Sequence, residues 1–262
     1  MKVHVVSDVH GNVDALASAG EGADALVVLG DLIDFVDYHD YSAGILGAVF
    51  GPETVRRFAE LRAGAAPGEA GAFIRRMWAG LDDAAAVVFE AAREQYRRLF
   101  AALPAPTYAV AGNVDLPQLW PEFAHDGVHV LDGQAADLGG VRFGFVGGGV
   151  LPDGAIPRRS VPWAPYLRDA HEYAAAVGGL PEIDVLCSHI PPAVPELVYD
   201  VAARNPEVGS GALLDAIRSR QPWAALFGHV HQPLAARVRL GRTECVNVGH
   251  FQRTGAPYVL RW

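Results

Sequence analysis

The strongest constraint on the fold of this chain is a pattern that occurs five times, in which a short apolar run ends in metal-binding side chains. Short runs of apolar, β-branched residues are typical of buried β-strands. In open α/β sheets, ligands bind beyond the carboxyl ends of the strands, so we expect the five polar clusters to meet there. In chain order, the clusters are Asp8-Val9-His10, Gly30-Asp31, Gly112-Asn113, Ser188-His189 and Gly228-His229-Val230-His231.

The first cluster shows why a single motif is not enough. A valine-rich run, residues 3–6, precedes Asp8 and His10, which lie two positions apart and can point into the same space. The apolar spacing after Asn12 predicts a helix, and a carboxylate beside an imidazole can form half of a metal site. Asp-x-His also occurs by chance, so the interpretation depends on the other four clusters.

Together the clusters supply seven protein ligands, namely two aspartates, one asparagine and four histidines. This set exceeds what one tetrahedral zinc ion needs, and it suits two first-row cations about 3.5–4 Å apart that share a carboxylate. Because nitrogen and oxygen donors are mixed and no thiolate is present, the set favours Mn, Fe, Ni or Zn over Ca or Mg. The sequence thus predicts two divalent transition-metal ions as cofactors.

Composition and charge restrict the class of protein. Of the 262 residues, 51% are hydrophobic and 19% are charged, which predicts a sizeable core and argues against disorder. A net charge of −9 without a Lys/Arg-rich face argues against stable binding to a nucleic-acid backbone. The apolar stretches are too short for a membrane span, and no leader precedes the first strand. Cys187 and Cys245 are interpreted as buried, reduced thiols. We therefore expect no membrane partner and a cytoplasmic location.

Residues 37–103 differ in composition from the rest of the chain. The segment is rich in Ala and Arg, shows helical apolar spacing and has no strand signal. We therefore expect a single domain, residues 1–262, that carries a helical insertion at about residues 37–103. The insertion is interpreted as a cap over the site or as a subunit contact that could form a homo-oligomer.

The other elements are predicted from apolar runs and capping residues. Residues 243–248 and 258–262 are expected to close the sheet in antiparallel fashion, and residues 165–177 to form an amphipathic helix. Further strands are predicted at residues 25–29, 107–111, 128–131, 141–146, 183–187 and 224–227, and a helix capped by Ser210 is predicted over residues 210–218.

The ordered set of five clusters resembles the calcineurin-like metallophosphoesterase superfamily, and the resemblance covers residues 3–250 apart from the insertion. It implies an α/β fold, a four-layer α/β/β/α sandwich of two mixed sheets, with the site at the carboxyl edge of the sheets. It also implies that one metal ion is held by Asp8, His10 and His231, the other by Asn113, His189 and His229, with Asp31 bridging both. On this basis Asn113 and Asp31 are candidate catalytic residues, and Asn113 and Asn12 are expected to touch the phosphate.

Two departures from the family pattern bear on the chemistry. The family usually has, after the asparagine, a histidine that protonates the leaving group and is oriented by an aspartate such as Asp34, but this chain has Val114 there. Without that acid, leaving groups of low pKa, as in activated esters or diesters, are favoured. Alternatively, His39 or His250 supplies the proton. The second motif also lacks the Asp-Arg-Gly continuation of protein Ser/Thr phosphatases, so the chain resembles the smaller bacterial and archaeal phosphodiesterase-like branch.

These expectations lead to one main function and two alternatives. The chain is expected to be a dinuclear metal-dependent phosphoesterase that uses a metal-bridging water, and chiefly a phosphodiesterase on nucleotides or other small molecules. A phosphomonoesterase of the same fold and a non-catalytic metal-binding scaffold remain as alternatives. The candidate substrate-binding residues are Asn12, His39, Arg158, Arg159 and His250.

Overall fold

The computed structural model describes residues 1–64, 67–152, 154–155 and 162–262, and strands predominate outside one long helical segment. The strands are β1 (Lys2–Val6), β2 (Ala25–Val28), β3 (Thr107–Ala109), β4 (Val128–Val130), β5 (Gln134–Leu138), β6 (Val141–Val146), β7 (Gly149–Val150), β8 (Leu167–Arg168), β9 (Val185–Ser188), β10 (Tyr199–Asp200), β11 (Asn205–Pro206), β12 (Ala224–Phe227), β13 (Arg237–Leu240), β14 (Thr243–Asn247) and β15 (Tyr258–Arg261). The helices are α1 (Val13–Ser18), α2 (Gly44–Phe50), α3 (Pro52–Ala63), α4 (Pro67–Ala79), α5 (Ala84–Ala102), α6 (Ala170–Gly178), α7 (Pro195–Val198), α8 (Gly211–Arg220) and α9 (Phe251–Thr254), with a 3-10 helix at Pro117–Glu122.

Two large mixed sheets contain most of these strands. Among the described residues, one sheet has the strand order β15-β1-β2-β3-β4 and the other has the order β13-β14-β12-β9-β6-β5. In the first sheet β1 to β4 run parallel, and β15 pairs antiparallel with β1. In the second sheet β6, β9, β12 and β14 run parallel, while β5 and β13 are antiparallel edge strands. The predicted α/β fold with two mixed sheets is confirmed.

Clusters of buried apolar residues show how the sheets and helices pack. Successive residues of β2 alternate between two clusters, because side chains of a strand point to opposite faces. Val27 lies in a cluster with Phe143 of the second sheet, whereas Leu26 packs with residues of α1 and α5. The outer face of the second sheet forms a third cluster with α6 and α8, which includes Tyr173 and Leu213. These clusters fit the predicted α/β/β/α order of layers.

The helical segment divides into two parts that pack differently. Helices α2, α3 and α4 pack against one another, and α2 also contacts α5. Helix α5 packs on α1 and contributes Tyr96, Leu99 and Phe100 to the buried cluster on the first sheet. Asp83 caps α5, since its side chain accepts a hydrogen bond from the Ala86 N–H over 2.9 Å. The extent of the insertion, residues 37–103, stays a prediction, but α5 at its end is part of the core.

Several local features differ from the sequence-based prediction. Helix α6 begins at Ala170 rather than at residue 165, because Asp169 and Glu172 form a capping box and the preceding residues pair as β8. The two final runs do not close one sheet, since β15 pairs antiparallel with β1 while β14 lies parallel to β12 in the other sheet. The edge strands β5 and β13 are not predicted from the sequence, because exposed polar side chains interrupt their apolar pattern.

Two expectations about the chemistry of the chain can be compared with the structure directly. Cys187 and Cys245 are both buried and unpaired, as predicted. None of the helices in the described part of the chain combines the length and apolar character that crossing a bilayer requires.

The packing of α5 can be tested with Tyr96→Phe. The buried hydroxyl of Tyr96 donates to Asp115 Oδ1 over 3.1 Å and accepts from the Leu116 N–H over 2.7 Å. Its removal leaves two buried groups without this partner, so we expect the free energy of unfolding, measured by urea titration, to fall by about 1–3 kcal/mol. Tyr41→Phe is the control, because the Tyr41 hydroxyl makes no hydrogen bond among the described residues, and the change should stay below about 0.5 kcal/mol. Equal effects of the two variants would contradict this role of the Tyr96 hydroxyl.

Candidate metal centre

The five polar clusters follow parallel strands at their carboxyl ends. Strands β1, β2 and β3 of the first sheet and β9 and β12 of the second precede, respectively, Asp8 with His10, Asp31, Asn113, His189, and His229 with His231. The Nε2 atom of His189, from the second sheet, lies 3.4 Å from Oδ2 of Asp31, from the first sheet. The two sheets therefore bring their polar clusters together at one edge.

The loops hold several of these residues in a left-handed backbone conformation. The φ angle is 57° for Asp8, 40° for His10, 53° for Asp31 and 69° for His229. This region is costly for residues with a side chain, and such conformations concentrate at functional sites. Backbone hydrogen bonds from Asp8 N to Gly30 O (3.1 Å) and from His10 N to Asp31 O (2.9 Å) tie the first loop to the second.

The glycines of the motifs allow the loops to approach closely. A Cβ atom at Gly112 would overlap the carboxylate of Asp31. A Cβ atom at Gly228 would overlap Ser7 Oγ and Asp8 Oδ2. The glycines of the Gly-Asn and Gly-His pairs therefore have a steric explanation, because only glycine leaves room for the neighbouring carboxylates.

One group of ligands converges on a common point. The Nε2 atoms of His10 and His231 lie 3.3 Å apart, and they lie 4.0 and 3.6 Å from Asp8 Oδ1. Two histidine nitrogens that each bind a cation at about 2.0–2.1 Å have a separation of this order. The Nδ1 atom of His10 lies 3.3 Å from the carbonyl oxygen of Ile33, which leaves Nε2 for the cation.

A second group is centred on His189. Its Nδ1 donates to the carbonyl oxygen of Leu29 over 2.8 Å, so Nε2 is the free nitrogen, and Nε2 lies 2.8 Å from Asn113 Oδ1. The ring of His229 packs edge-on against that of His189, with centroids 5.2 Å apart. These three side chains offer two nitrogens and one oxygen to a second cation.

Asp31 lies between the two groups. Its Oδ2 atom is 3.9 Å from His10 Nε2 and 3.4 Å from His189 Nε2, so one oxygen faces ligands of both groups. Its other oxygen, Oδ1, accepts a hydrogen bond from the Val114 N–H over 2.7 Å. This bond fixes the carboxylate plane and directs Oδ2 toward the histidines.

Asp8 provides an independent test of whether the residues fit a metal ion. Its Oδ2 accepts a hydrogen bond from the His229 N–H over 2.9 Å. Among the described residues, its Oδ1 is buried without a hydrogen-bond partner. A buried carboxylate oxygen without a partner is rare and calls for a missing ligand. Since that oxygen faces the Nε2 atoms of His10 and His231, the donor set fits a divalent cation.

The electrostatics of the site are those of buried carboxylates held by histidines. Burial by itself would raise the pKa of Asp8 and of Asp31, but the neighbouring histidines lower both pKa values below the usual range. Burial opposes the charged form of His189, yet the carboxylates of Asp31 and Asp8 raise its pKa to about 9. Burial and the charge of His189 lower the pKa of His229 to about 4. Without metal, His189 thus carries a proton that partly balances the carboxylates.

A cavity of about 960 Å³ opens in front of these ligands. It is lined by His10, Asp31, Asn113, His229 and His231, and also by the predicted substrate residues His39 and His250. Asp34 lines it too, and burial together with the charges of Asp37 and Asp40 raises the pKa of Asp34 to about 7.

The other predicted substrate residues are placed differently. Asn12 caps α1, where its Oδ1 accepts from the Ala15 N–H over 3.2 Å and its Nδ2 donates to the carbonyl oxygen of Gln252 over 3.0 Å. It lines a second cavity, of about 570 Å³, rather than the one in front of the ligands. Arg158 and Arg159 lie outside the described residues. The roles assigned to these three residues stay predictions.

His250 approaches the ligands more closely than the sequence indicates. Its ring stacks on that of His231 with centroids 3.8 Å apart, and with His10 these side chains form a group that could hold a metal ion. Burial and the charge of His231 lower the pKa of His250 to about 4. The sequence contained a signal for His250, because Gly249-His250 follows the mostly buried strand β14 in the way that the other clusters follow their strands.

Comparisons with known proteins agree with this site and fold. A family model described as calcineurin-like phosphoesterase matches residues 1–233 of the chain. One solved structure is 17% identical, with a TM-score of 0.58, over 96% of this chain and 91% of its own. Another, the protein TT1561 of Thermus thermophilus, is 15% identical, with a TM-score of 0.54, over 99% of this chain and 98% of its own. At these identities the likeness to both structures shows the fold alone, and no curated protein matches the chain significantly.

Because Asp31 lies between the two ligand groups, single substitutions should weaken either one or both of the predicted metal sites. After reconstitution with Mn, elemental analysis should find about two ions per chain, and Asp31→Asn should weaken both sites because it changes the shared oxygen. His231→Ala should weaken mainly the site it shares with Asp8 and His10. His171→Ala is the control, since His171 is exposed on α6. A wild-type protein that takes up no transition metal after reconstitution would contradict the assignment.

The raised pKa of His189 predicts that metal binding releases a proton. Below a pH of about 9 the free site holds this proton, so the apparent metal affinity should rise with pH and level off above that value. Calorimetric titrations at pH 7.5 in buffers of different ionisation enthalpy should show the release in the wild type. His189→Gln keeps the ligands Asp8, His10 and His231 and should release about one proton fewer. An unchanged proton count in this variant would show that His189 is not the group that titrates.

Proposed function

Because the chain belongs to the calcineurin-like phosphoesterase family of metal-dependent hydrolases, we propose that it is a dinuclear phosphodiesterase acting on nucleotides or other small molecules. The observation that carries the proposal is the position of Asp31 Oδ2, which lies 3.9 Å from His10 Nε2 and 3.4 Å from His189 Nε2. One oxygen that faces ligands of two groups supports a pair of cations rather than a single one.

Each residue of the site has a defined role in this proposal. One cation would be held by Asp8, His10 and His231, and the other by Asn113, His189 and His229. Divalent Mn, Fe, Ni or Zn bound there would neutralise the phosphoryl oxygens and lower the pKa of a water molecule. Asp31 joins the two groups, and the Val114 N–H keeps its carboxylate in place. The Asn113 side chain lines the cavity, where its amide can donate a hydrogen bond to a phosphoryl oxygen.

The preference for diesters rests on Val114. The side chain of Val114 packs against the apolar cluster on the first sheet and cannot donate a proton. Its N–H is already used by Asp31, and its carbonyl oxygen accepts from Trp163 Nε1 over 3.3 Å. Without a proton donor here, the reaction depends on leaving groups that depart as anions. Aryl diesters and other activated esters meet this condition, and alkyl phosphomonoesters do not.

The two histidines that could replace the missing acid are placed unequally. His250 is buried, and its pKa of about 4 leaves it neutral near pH 7, so it is a poor proton donor there. His39 is exposed at the cavity wall and is the better candidate of the two. Its replacement by Ala should matter most for esters with poor leaving groups if it supplies the proton.

The proposal is tested by comparing ester classes with the metal-loaded protein. Bis(4-nitrophenyl) phosphate should be hydrolysed with a far higher kcat/KM than alkyl phosphomonoesters such as ethyl phosphate. Efficient hydrolysis of the alkyl monoesters would instead support a phosphomonoesterase. A fully metal-loaded protein that is inactive on every ester would support the non-catalytic scaffold.

The variant Val114→His tests in the same assay whether the missing proton donor limits the reaction. It should raise activity on poor leaving groups by about 10²-fold and change activity on nitrophenyl esters little, because nitrophenolate departs without a proton. Val114→Ala is the matched control, since it alters the same contacts without adding a titratable group. An equal change for good and poor leaving groups would show that protonation is not what Val114 limits.

A further inference from the structure

The cavity in front of the metal ligands has a second half that the proposed reaction does not use. Its walls come from the loop after β2, from helices α2, α3 and α4, and from the loop before β8. We call this half the apolar subsite and define it by the side chains of Phe35, Leu46, Phe58, Ile74, Trp78 and Trp163.

Aromatic contacts hold the apolar subsite in shape. The rings of Phe35 and Trp163 stack with centroids 4.1 Å apart and an interplanar angle of 22°. Trp78 lies 6.5 Å from Phe35 and packs edge-on against Phe50 at 4.6 Å. Because these rings already pack on one another, the walls are formed before a ligand enters, which lowers the entropic cost of binding.

Val114 connects the apolar subsite to the candidate metal centre. The N–H of Val114 donates to Asp31 Oδ1 over 2.7 Å, and its carbonyl oxygen accepts from Trp163 Nε1 over 3.3 Å. The Val114 side chain itself lines the cavity between the two halves. A phosphoryl group at the metal ligands therefore has its ester substituent beside Val114, at the entrance to the apolar subsite.

The charges around the subsite disfavour a second anionic group on the substrate. Outside the metal ligands, the carboxyl groups that line the cavity among the described residues belong to Asp34, Asp37, Asp200 and Glu207. Among the same described residues, the arginines that line the cavity are Arg62 and Arg75, and Arg62 is already hydrogen-bonded to the Tyr38 hydroxyl over 2.6 Å. The second phosphate of a nucleoside diphosphate would face this excess of carboxyl groups.

From these observations we propose that the apolar subsite binds a large, uncharged, apolar ester substituent, so that the substrates are phosphodiesters carrying a long alkyl or an aryl group. This inference rests on the proposed function, and it narrows the substrate from small phosphodiesters in general to apolar ones. Cations held by the candidate metal ligands would bind the phosphoryl group, and burial of the substituent against the aromatic walls supplies affinity and selectivity.

A series of methyl 4-alkylphenyl phosphodiesters tests the subsite, because the alkyl chain extends the leaving group that departs beside Val114 while the pKa of that leaving group stays nearly constant. For methyl, butyl and octyl chains the metal-loaded wild type should show a kcat/KM that rises by up to about fourfold per buried methylene. A flat series would overturn the proposal while leaving the phosphodiesterase in place.

A binding measurement separates failure of the subsite from failure of the catalytic function. Octylphosphonate should quench tryptophan fluorescence of the metal-loaded protein at a lower concentration than methylphosphonate, because Trp78 and Trp163 line the subsite. Tighter octylphosphonate binding by a protein inactive on all esters would uphold the subsite and overturn the proposed function. Equal binding of the two phosphonates would overturn the subsite.

Variants of the walls complete the test. Phe58→Ala and Ile74→Ala remove partly buried side chains from α3 and α4, and each should lower the octyl-to-methyl ratio of kcat/KM by about tenfold. Trp223→Ala is the control, since Trp223 is exposed just before β12 and does not line the cavity, and it should leave the ratio unchanged. An unchanged ratio in both wall variants would overturn the assignment. Metal content and circular dichroism verify that the two wall variants fold. If they do not fold, the ester series with the wild type decides whether the subsite binds the apolar substituent.

Discussion

The candidate metal centre depends on how the carboxylate of Asp31 is held. Its Oδ1 is fixed by the Val114 N–H, and its Oδ2 faces His10 from one ligand group and His189 from the other. If this carboxylate rotated, the two groups would share no oxygen. The chain therefore needs the loops after three strands of one sheet and two strands of the other to meet within a few ångströms of one side chain. The left-handed conformation of Asp31 and the lack of a Cβ at Gly112 serve this placement.

The buried charges explain why so much of the structure is arranged around this edge. Two carboxylates, Asp8 and Asp31, lie almost fully buried, which is costly unless cationic partners are present. In the free protein the proton on His189 supplies part of that charge. The Oδ1 of Asp8, which has no hydrogen-bond partner in the described part of the chain, shows that the compensation is incomplete. A divalent cation would complete it, because it would satisfy the free oxygen and the free imidazole nitrogens at once. The site is thus better satisfied with metal than without it.

Helices α2, α3 and α4 add to the site what the two sheets do not supply. They form apolar walls beside a cavity whose opposite end is lined by candidate metal ligands. In our proposals Val114 has two consequences, since it removes a proton donor from the leaving-group side and extends the apolar wall toward the phosphate. Both consequences favour the same substrates, namely diesters with a good leaving group and an apolar substituent. Helix α5 has another role, because Tyr96 and Leu99 bind it into the core.

The sequence by itself determined the strands that carry the site and the candidate ligand residues that follow them, because a buried strand ending in polar side chains is a local pattern. Contacts between distant segments decided the rest. Only the fold shows that the side chain of Asn12 donates to the carbonyl oxygen of Gln252, that His250 stacks on His231, and that β14 and β15 belong to different sheets. The same holds for the apolar subsite, in which Phe35 meets Trp163 from far along the chain. Local periodicity tells whether a side chain is buried, but which residues meet depends on how the layers pack, and that is a property of the tertiary structure.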